Sequence, residues 1–179
     1  MTDEEVAEIY AKTQQYELKP ETDLNSRSIE RIRAVTAGKS VLDIGCGTGG
    51  ISATLESSSY LGVDFVSSPH WNDLTSDFVK FKVAPAGETG LPDGHAQVVL
   101  CCHVLEHVRD VAEVLFELKR LTTEKVVIAL PRERPYRAGF NLHVNFYSYV
   151  WQVEAELSKA FENVNVEIVD GDFLVVIDA

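Results

Sequence analysis

Apolar and polar positions divide the chain into a helical N-terminal part and a longer part in which strands and helices alternate. Residues 1–37 carry apolar side chains at helical spacing in two segments, the second beginning at Asn25 and ending near Gly38. From Ser40 onward, short apolar runs alternate with amphipathic segments. We therefore expect a single α/β domain, in which residues 1–37 form a helical cover on a core of residues 38–179.

Five apolar runs are predicted to be strands. Val98–Cys102 and Val126–Leu130 are continuously apolar, which is typical of strands buried on both faces of a parallel sheet. The predicted strands cover residues 40–44, 60–64, 78–83, 96–102 and 124–130.

The second half of the chain also contains two predicted helices and a terminal hairpin. Asp110 and Glu113 begin the first helix, and Ser148 is expected to cap the second. Two strand-like segments after residue 164 are joined by Asp170-Gly171, a dipeptide typical of a β-hairpin turn. The inward positions of the two helices are Val111, Val114, Leu115, Leu118 and Leu121, and Val150, Val153, Leu157 and Phe161.

Composition narrows the possible partners. The chain has 179 residues and a net charge of −12, from 16 Lys and Arg against 28 Asp and Glu. Such an acidic protein repels phosphate backbones, which makes nucleic acid an unfavourable partner. No apolar run is long enough for a membrane span, and the three cysteines lack metal-site spacing. We expect a cytoplasmic protein with a small-molecule substrate, and no pattern in the sequence indicates an oligomeric state.

A glycine cluster follows the first predicted strand. The segment Val41–Gly50 passes from apolar residues into a turn with the spacing Gly-x-Gly-x-x-Gly, which is also found in dinucleotide-binding proteins. Asp43 lies inside this strand, and Asp64 ends the next one, where a carboxylate can accept both hydroxyls of a ribose. These features predict a nucleotide-type cofactor site.

The segment Asp43–Gly49 resembles motif I of the class I S-adenosylmethionine-dependent methyltransferases, and Asp64 matches their ribose-binding acid. The segments Leu91–Gly94 and Val98–Val108 resemble the branch of small methyltransferases with a Val-Leu-Glu-His-Val sequence. The resemblance covers roughly residues 38–179. It implies a Rossmann-like, mostly parallel sheet of seven strands in the order 3-2-1-4-5-7-6, with a C-terminal antiparallel hairpin.

The resemblance also implies the cofactor and its binding residues. In the family, an acid four or so residues before the Leu-Pro pair contacts the adenine amine, and Glu88 is the nearest carboxylate here. Carboxylates such as Asp43 suit a cationic, amine-bearing cofactor better than a pyrophosphate, which favours S-adenosylmethionine over NAD. The implied cofactor-binding residues are Asp43, Gly45, Cys46, Gly47, Gly49, Asp64, Glu88 and His103.

The segment His103–His107 has the pattern His-x-x-Glu-His of inverted zinc proteases. Zinc there requires both histidines on one helix, whereas His103 ends a predicted strand and the next helix begins at Asp110. Quinone-pathway O-methyltransferases and small-RNA 3′-end methyltransferases have a similar Glu-x-x-Glu-His segment that holds a divalent ion. Carried over, Glu106 and His107 would be the metal ligands, and His103 in place of the first Glu would weaken a magnesium site.

Acceptor activation is assigned to His107 and His143, acting as a general base or through a metal. The alternative for His107 is a local hydrogen bond that shapes the turn. After the fifth strand, Arg132, Arg134 and Tyr136 could bind an anionic substrate, and the alternative is a solvated loop.

We therefore expect a methyltransferase that acts on a small acceptor, with an anionic acceptor as one possibility. Two other functions stay open at this stage. One is a methyltransferase-like domain that has lost catalysis and serves as a binding or regulatory module. The other is an oxidoreductase that binds an NAD-type nucleotide.

Overall fold

The computed structural model describes residues 22–135 and 142–179, together with Glu5, Glu8, Ile9 and Lys12. Most of the first predicted helical segment lies outside the described residues, as does Tyr136. Among the described residues, none of the helices combines the length and the apolar character that crossing a bilayer requires.

A seven-stranded sheet forms the centre of the molecule, with the strand order β3-β2-β1-β4-β5-β7-β6. The five N-terminal strands pair in parallel, whereas β7 lies antiparallel between β5 and β6. The predicted strand order and the terminal hairpin are confirmed. The strands are β1 Ser40–Ile44, β2 Ser59–Asp64, β3 Val79–Val83, β4 Ala96–Cys102, β5 Thr122–Pro131, β6 Val166–Val169 and β7 Asp172–Asp178.

Two of the predicted helix starts are confirmed and one is shifted. Asn25 accepts a hydrogen bond from the Ser28 N–H at 2.9 Å, and Asp110 accepts one from the Glu113 N–H at 3.0 Å. The last helix begins after Tyr149 rather than Ser148, because the side chain of Gln152 accepts from the N–H of Tyr149 at 3.0 Å. The helices are α1 Ser26–Thr36, α2 Trp71–Leu74, α3 Val111–Leu121 and α4 Val150–Leu157, and residues Gly50–Ala53 form a 3-10 helix.

The core lies on both faces of the sheet, which explains the continuous apolar runs in β4 and β5. Alternate side chains of one strand point to opposite faces. Val98 and Leu100 pack with Ile32 of α1, whereas Val99 and Cys101 pack in the layer that contains α3 and α4. Helix α1 therefore covers one face of the sheet.

The topology brings the ends of four neighbouring strands together. Strands β2, β1, β4 and β5 are parallel and adjacent, so their carboxyl ends lie at one edge of the sheet. Ligands of open α/β sheets bind at this edge, where the connections on either side of β1 diverge. The glycine turn after β1, Asp64 and His103 all lie there.

Candidate active site

The glycine turn after β1 is packed on one side and open on the other. Gly45 has a φ of +74°, and a Cβ there would lie 2.2 Å from Cγ2 of Val104. Gly47 has a φ of +54°, yet no heavy atom of the described residues lies within 4 Å of the position of its Cβ. The turn therefore rests against the segment after β4 and leaves space beside Gly47 for a ligand.

Trp71 supports this turn from the β2–β3 connection. Its Nε1 donates to the carbonyl oxygen of Gly47 at 2.9 Å, and its ring stacks on Phe81 with centroids 5.0 Å apart. Phe81 occupies the space that a Cβ on Gly49 would need, at 2.4 Å. No local sequence pattern could have linked Trp71 to this turn.

Asp64 connects the glycine turn to the loop after β2. Its two carboxylate oxygens accept hydrogen bonds from the Gly47 N–H at 2.8 Å and the Val66 N–H at 3.2 Å. The side chain is buried, and this desolvation raises its pKa, while the backbone donors oppose the rise. The carboxylate is therefore held at the end of β2, beside the open face of Gly47.

Asp43 is buried one strand away and is paired with Tyr60. The Tyr60 hydroxyl donates to Oδ2 of Asp43 at 2.6 Å. Burial raises the pKa of Asp43 to about 7, and the hydrogen bond from Tyr60 partly offsets that shift. A nearby cation would favour the ionised carboxylate. The Cys46 thiol lies in the same region, and its pKa is raised by burial and by the carboxylates of Asp43 and Asp64.

The turn after β3 begins beside Asp64, because the Ala84 N–H donates to the carbonyl oxygen of Asp64 at 2.9 Å. Glu88 lies in this turn with an exposed side chain. The carboxylate that packs against the turn comes instead from Glu113 of α3, whose Cγ lies 2.8 Å from the position of a Cβ on Gly87. Glu113 is thus a second acidic side chain at this turn.

The segment after β4 is a turn and contains no helix between His103 and Asp110. His103 itself has a left-handed backbone, with a φ of +56°. The zinc-protease pattern needs both histidines on one continuous helix, so this geometry rules out that interpretation.

Three side chains at this turn could share one ligand. Donor atoms of Glu106, His107 and His143 lie within 4.8 Å of one another. Burial raises the pKa of Glu106 to about 8. Burial first, and then the neighbouring His143, lower the pKa of His107 to about 4. The two predicted activating histidines are therefore neighbours, with ring centroids 4.5 Å apart.

Hydrogen bonds hold the His143 segment against the turn after β4. The Asn145 side chain donates to the carbonyl oxygens of Leu105 at 2.8 Å and Val108 at 2.7 Å. The backbone N–H groups of Val144 and Asn145 donate to the Glu106 carbonyl oxygen at 2.7 and 3.0 Å. Sequence analysis did not single out Asn145, because its partners lie far away along the chain.

The residues after β5 alternate in direction. The side chains of Arg132 and Arg134 are exposed, whereas Glu133 between them points inward and contacts Nδ1 of His143. The two arginines are thus exposed on either side of a residue that contacts the cluster, and Tyr136 falls outside the described residues. Glu133 is a further site residue that the sequence analysis did not identify.

Comparison with known proteins identifies a methyltransferase domain in the chain. A family model described as "Methyltransferase domain" matches residues 42–130. A ubiquinone biosynthesis O-methyltransferase of Pseudomonas paraeruginosa is 35% identical over 117 residues, which are 59% of this chain and 50% of that protein. The chain spans about half the length of the curated relatives it matches.

Solved structures share the fold at low sequence identity. A SAM-dependent methyltransferase from Aquifex aeolicus aligns with a TM-score of 0.67 and 18% identity, and the alignment covers 99% of both chains. A Burkholderia thailandensis 1,6-didemethyltoxoflavin-N1-methyltransferase, solved with bound 1,6-didemethyltoxoflavin and S-adenosylhomocysteine, aligns with a TM-score of 0.68 and 17% identity. That alignment covers 86% of this chain and 76% of the other.

Proposed function

Because the chain belongs to the class I S-adenosylmethionine-dependent methyltransferase family, we propose that it transfers the methyl group of S-adenosylmethionine to a hydroxyl oxygen of a small molecule. The main support is the arrangement at one sheet edge. The glycine turn after β1 is hydrogen-bonded to Asp64 at the end of β2, and at Gly45 it rests against Val104 of the turn after β4, which also carries Glu106 and His107.

The residues at the β1 and β2 ends fit this cofactor. The space beside Gly47 admits a ligand, and both Asp43 and Asp64 have raised pKa values that a cationic or hydroxyl-bearing ligand would lower. Asp43 would bind the ammonium group and Asp64 the ribose, with Gly45, Cys46, Gly47 and Gly49 lining the methionine half. When bound, S-adenosylmethionine supplies an electrophilic methyl group on a sulfonium sulfur. These cofactor-binding residues would orient that methyl group for in-line attack by the acceptor.

The adenine and the sulfur would lie farther along the same edge. Glu88 is proposed to contact the adenine amine from the turn after β3, and Glu113 places a second carboxylate against that turn. His103, at the end of β4, would lie beside the sulfur-bearing end of the cofactor.

The acceptor is activated by the cluster after β4. With a pKa of about 4, His107 is neutral at pH 7 and a weak proton acceptor, which suits a metal ligand better than a general base. We therefore propose that Glu106, His107 and His143 hold a divalent ion beside the acceptor. A bound ion lowers the pKa of a hydroxyl that it contacts. An oxygen acceptor is in line with the similarity to ubiquinone biosynthesis O-methyltransferases.

The proposed acceptor is small and is compatible with an anionic group. Arg132 and Arg134 place two exposed guanidinium groups on either side of Glu133, which contacts His143. Guanidinium groups bind carboxylates and phosphates through paired hydrogen bonds. Tyr136 would add an aromatic contact to this substrate-binding group.

Calorimetric titration with S-adenosylhomocysteine tests the cofactor assignment. We expect Asp43→Asn and Asp64→Asn each to weaken binding by about tenfold or more, because each loses a charge-assisted contact. Asp77→Asn, at an exposed acid outside the site, is the matched control. If wild-type protein did not bind S-adenosylhomocysteine at millimolar concentration, the cofactor proposal would be overturned. Binding of NAD instead would favour an oxidoreductase.

A screen with labelled methyl donor then tests the reaction. Phenols and catechols with and without a carboxylate form the acceptor panel. We expect label on an acceptor oxygen, with a preference for carboxylates that Arg132→Ala/Arg134→Ala removes. If the protein bound S-adenosylhomocysteine but labelled none of these acceptors, or labelled nitrogen or carbon alone, the O-methyl assignment would be wrong.

A further inference from the structure

Glu106 is the centre of the cluster after β4. Its side chain is fully buried, and neither carboxylate oxygen has a hydrogen-bond partner in the described structure. Most buried polar groups are satisfied, and leaving one unpaired is costly. A carboxylate in this situation is satisfied by a cation that both oxygens can approach.

The two neighbouring histidines are oriented as metal ligands are. One ring nitrogen of His143 contacts the Glu133 carboxylate, and His107 hydrogen-bonds the backbone of Leu142. Nε2 of His107 faces Glu106, with 4.0 Å between it and Oε1. Metal-binding histidines generally have one ring nitrogen held by a carboxylate or a carbonyl, so that the other can bind the ion.

A third imidazole borders the same carboxylate. Nδ1 of His103 lies 3.5 Å from Oε1 of Glu106. The other ring nitrogen, Nε2, is buried with no hydrogen-bond partner among the described residues, and it lies 3.8 Å from an oxygen of Asp172. Three imidazole rings therefore surround one carboxylate, and His103 occupies a position where a second carboxylate would add an oxygen ligand.

We propose that this cluster binds Zn²⁺, or a similar divalent ion that prefers imidazole ligands, in preference to Mg²⁺. Mg²⁺ requires oxygen ligands in octahedral geometry, whereas imidazole suits zinc, iron and nickel. Two histidines and one glutamate also form a known catalytic zinc ligand set that leaves a position open. The use of the ion in methyl transfer rests on the proposed function, but its binding does not.

Metal titration of the chelator-treated full chain is the test. Calorimetry with Zn²⁺ and Mg²⁺ gives the two affinities, and Co²⁺ reports nitrogen ligation through its visible absorption. We expect Zn²⁺ to bind at least about 100-fold more tightly than Mg²⁺. Glu106→Gln and His143→Ala should weaken Zn²⁺ binding by about tenfold or more, whereas His95→Ala, at an exposed histidine, should not. Equal affinities, or no saturable Zn²⁺ binding, would overturn the inference.

His103→Glu tests the source of the selectivity. We expect Mg²⁺ affinity to rise by about tenfold and the preference for Zn²⁺ to fall, because an oxygen ligand replaces an imidazole. A melting curve and S-adenosylhomocysteine titration verify that each variant is folded. An unchanged preference in folded His103→Glu protein would contradict the role of His103. If wild-type protein binds S-adenosylhomocysteine but not Zn²⁺, this inference is refuted and the cofactor proposal stands. If it binds Zn²⁺ but not S-adenosylhomocysteine, the cofactor proposal is refuted and this inference stands.

Discussion

The hydroxyl of Tyr60 donates a 2.6 Å hydrogen bond to Oδ2 of Asp43, and both side chains are buried beneath the glycine turn. This pair sets the ionisation of the carboxylate that we assign to the cofactor ammonium. Burial raises the pKa of Asp43 to about 7, and Tyr60 limits the rise. Tyr60 thus acts on the cofactor through Asp43 and is a positioning residue.

Removing this hydroxyl should weaken cofactor binding in a pH-dependent way. In Tyr60→Phe the pKa of Asp43 rises further, so less of the carboxylate is ionised at pH 7. We expect S-adenosylhomocysteine affinity to fall by about five- to tenfold at pH 7 and to recover partly at pH 8.5. Calorimetry across this range measures the shift. Tyr149→Phe, at an exposed tyrosine, is the control, and a pH-independent loss would argue against the mechanism.

The two glycines of the turn should respond differently to alanine. In Gly45→Ala the new Cβ would lie 2.2 Å from Cγ2 of Val104. We therefore expect the free energy of unfolding to fall by about 3 kcal/mol or more. Gly47→Ala meets no described atom within 4 Å and pays only for its positive φ, about 1–2 kcal/mol. It should fold but bind S-adenosylhomocysteine at least about tenfold more weakly, because its Cβ enters the cofactor space.

Urea unfolding and calorimetry measure these two effects. Val104→Ala should partly rescue Gly45→Ala, since it removes the atom in the clash. Full cofactor affinity in Gly47→Ala would show that the cofactor does not approach this face of the turn.

Glu106 should make the metal-free protein less stable as pH rises. Its pKa is about 8 in the folded state against 4.5 for the free side chain, so between these values the folded protein retains a proton that the unfolded chain has lost. Stability therefore falls from about pH 4.5 to pH 8. Glu106→Gln removes this pH dependence. The free energy of unfolding of the variant should therefore exceed that of wild type by a margin that grows with pH and reaches roughly a few kcal/mol at pH 9.

Thermal unfolding at pH 5 and pH 9 tests this prediction. Glu88→Gln, at an exposed acid, should show no such growth. An advantage for Glu106→Gln that is equal at both pH values would disprove the ionisation argument. Addition of Zn²⁺ should stabilise wild type at pH 9 and leave Glu106→Gln almost unchanged.

The two confirmed N-caps should differ in their contribution to stability. Asp110 accepts one backbone hydrogen bond, so Asp110→Ala should cost about 1 kcal/mol. Asn25 does the same for α1, and its amide also donates to the Val169 carbonyl at 3.1 Å and to Asp172 at 3.0 Å. Asn25→Ala also removes these two hydrogen bonds between α1 and the β6–β7 hairpin and should cost about 2 kcal/mol or more. Urea unfolding compares the two, and equal costs would contradict the tethering role.

The sequence by itself determined the sheet, its terminal hairpin and the glycine turn. These features depend on local patterns: continuous apolar runs for strands buried on both faces, Asp170-Gly171 for a tight turn, and glycines where the backbone needs positive φ. Capping residues such as Asn25 are local in the same way. The error at Ser148 was one residue, the usual uncertainty of a helix boundary.

Only the tertiary structure decided which polar groups share a site. Glu106 meets His143 because Asn145 bonds to the turn after β4, and Glu133 reaches His143 because the residues after β5 alternate in direction. Trp71 and Phe81 support glycines of a different βα unit. Such contacts join residues that are distant along the chain, and they follow from how elements pack rather than from the preference of any one segment.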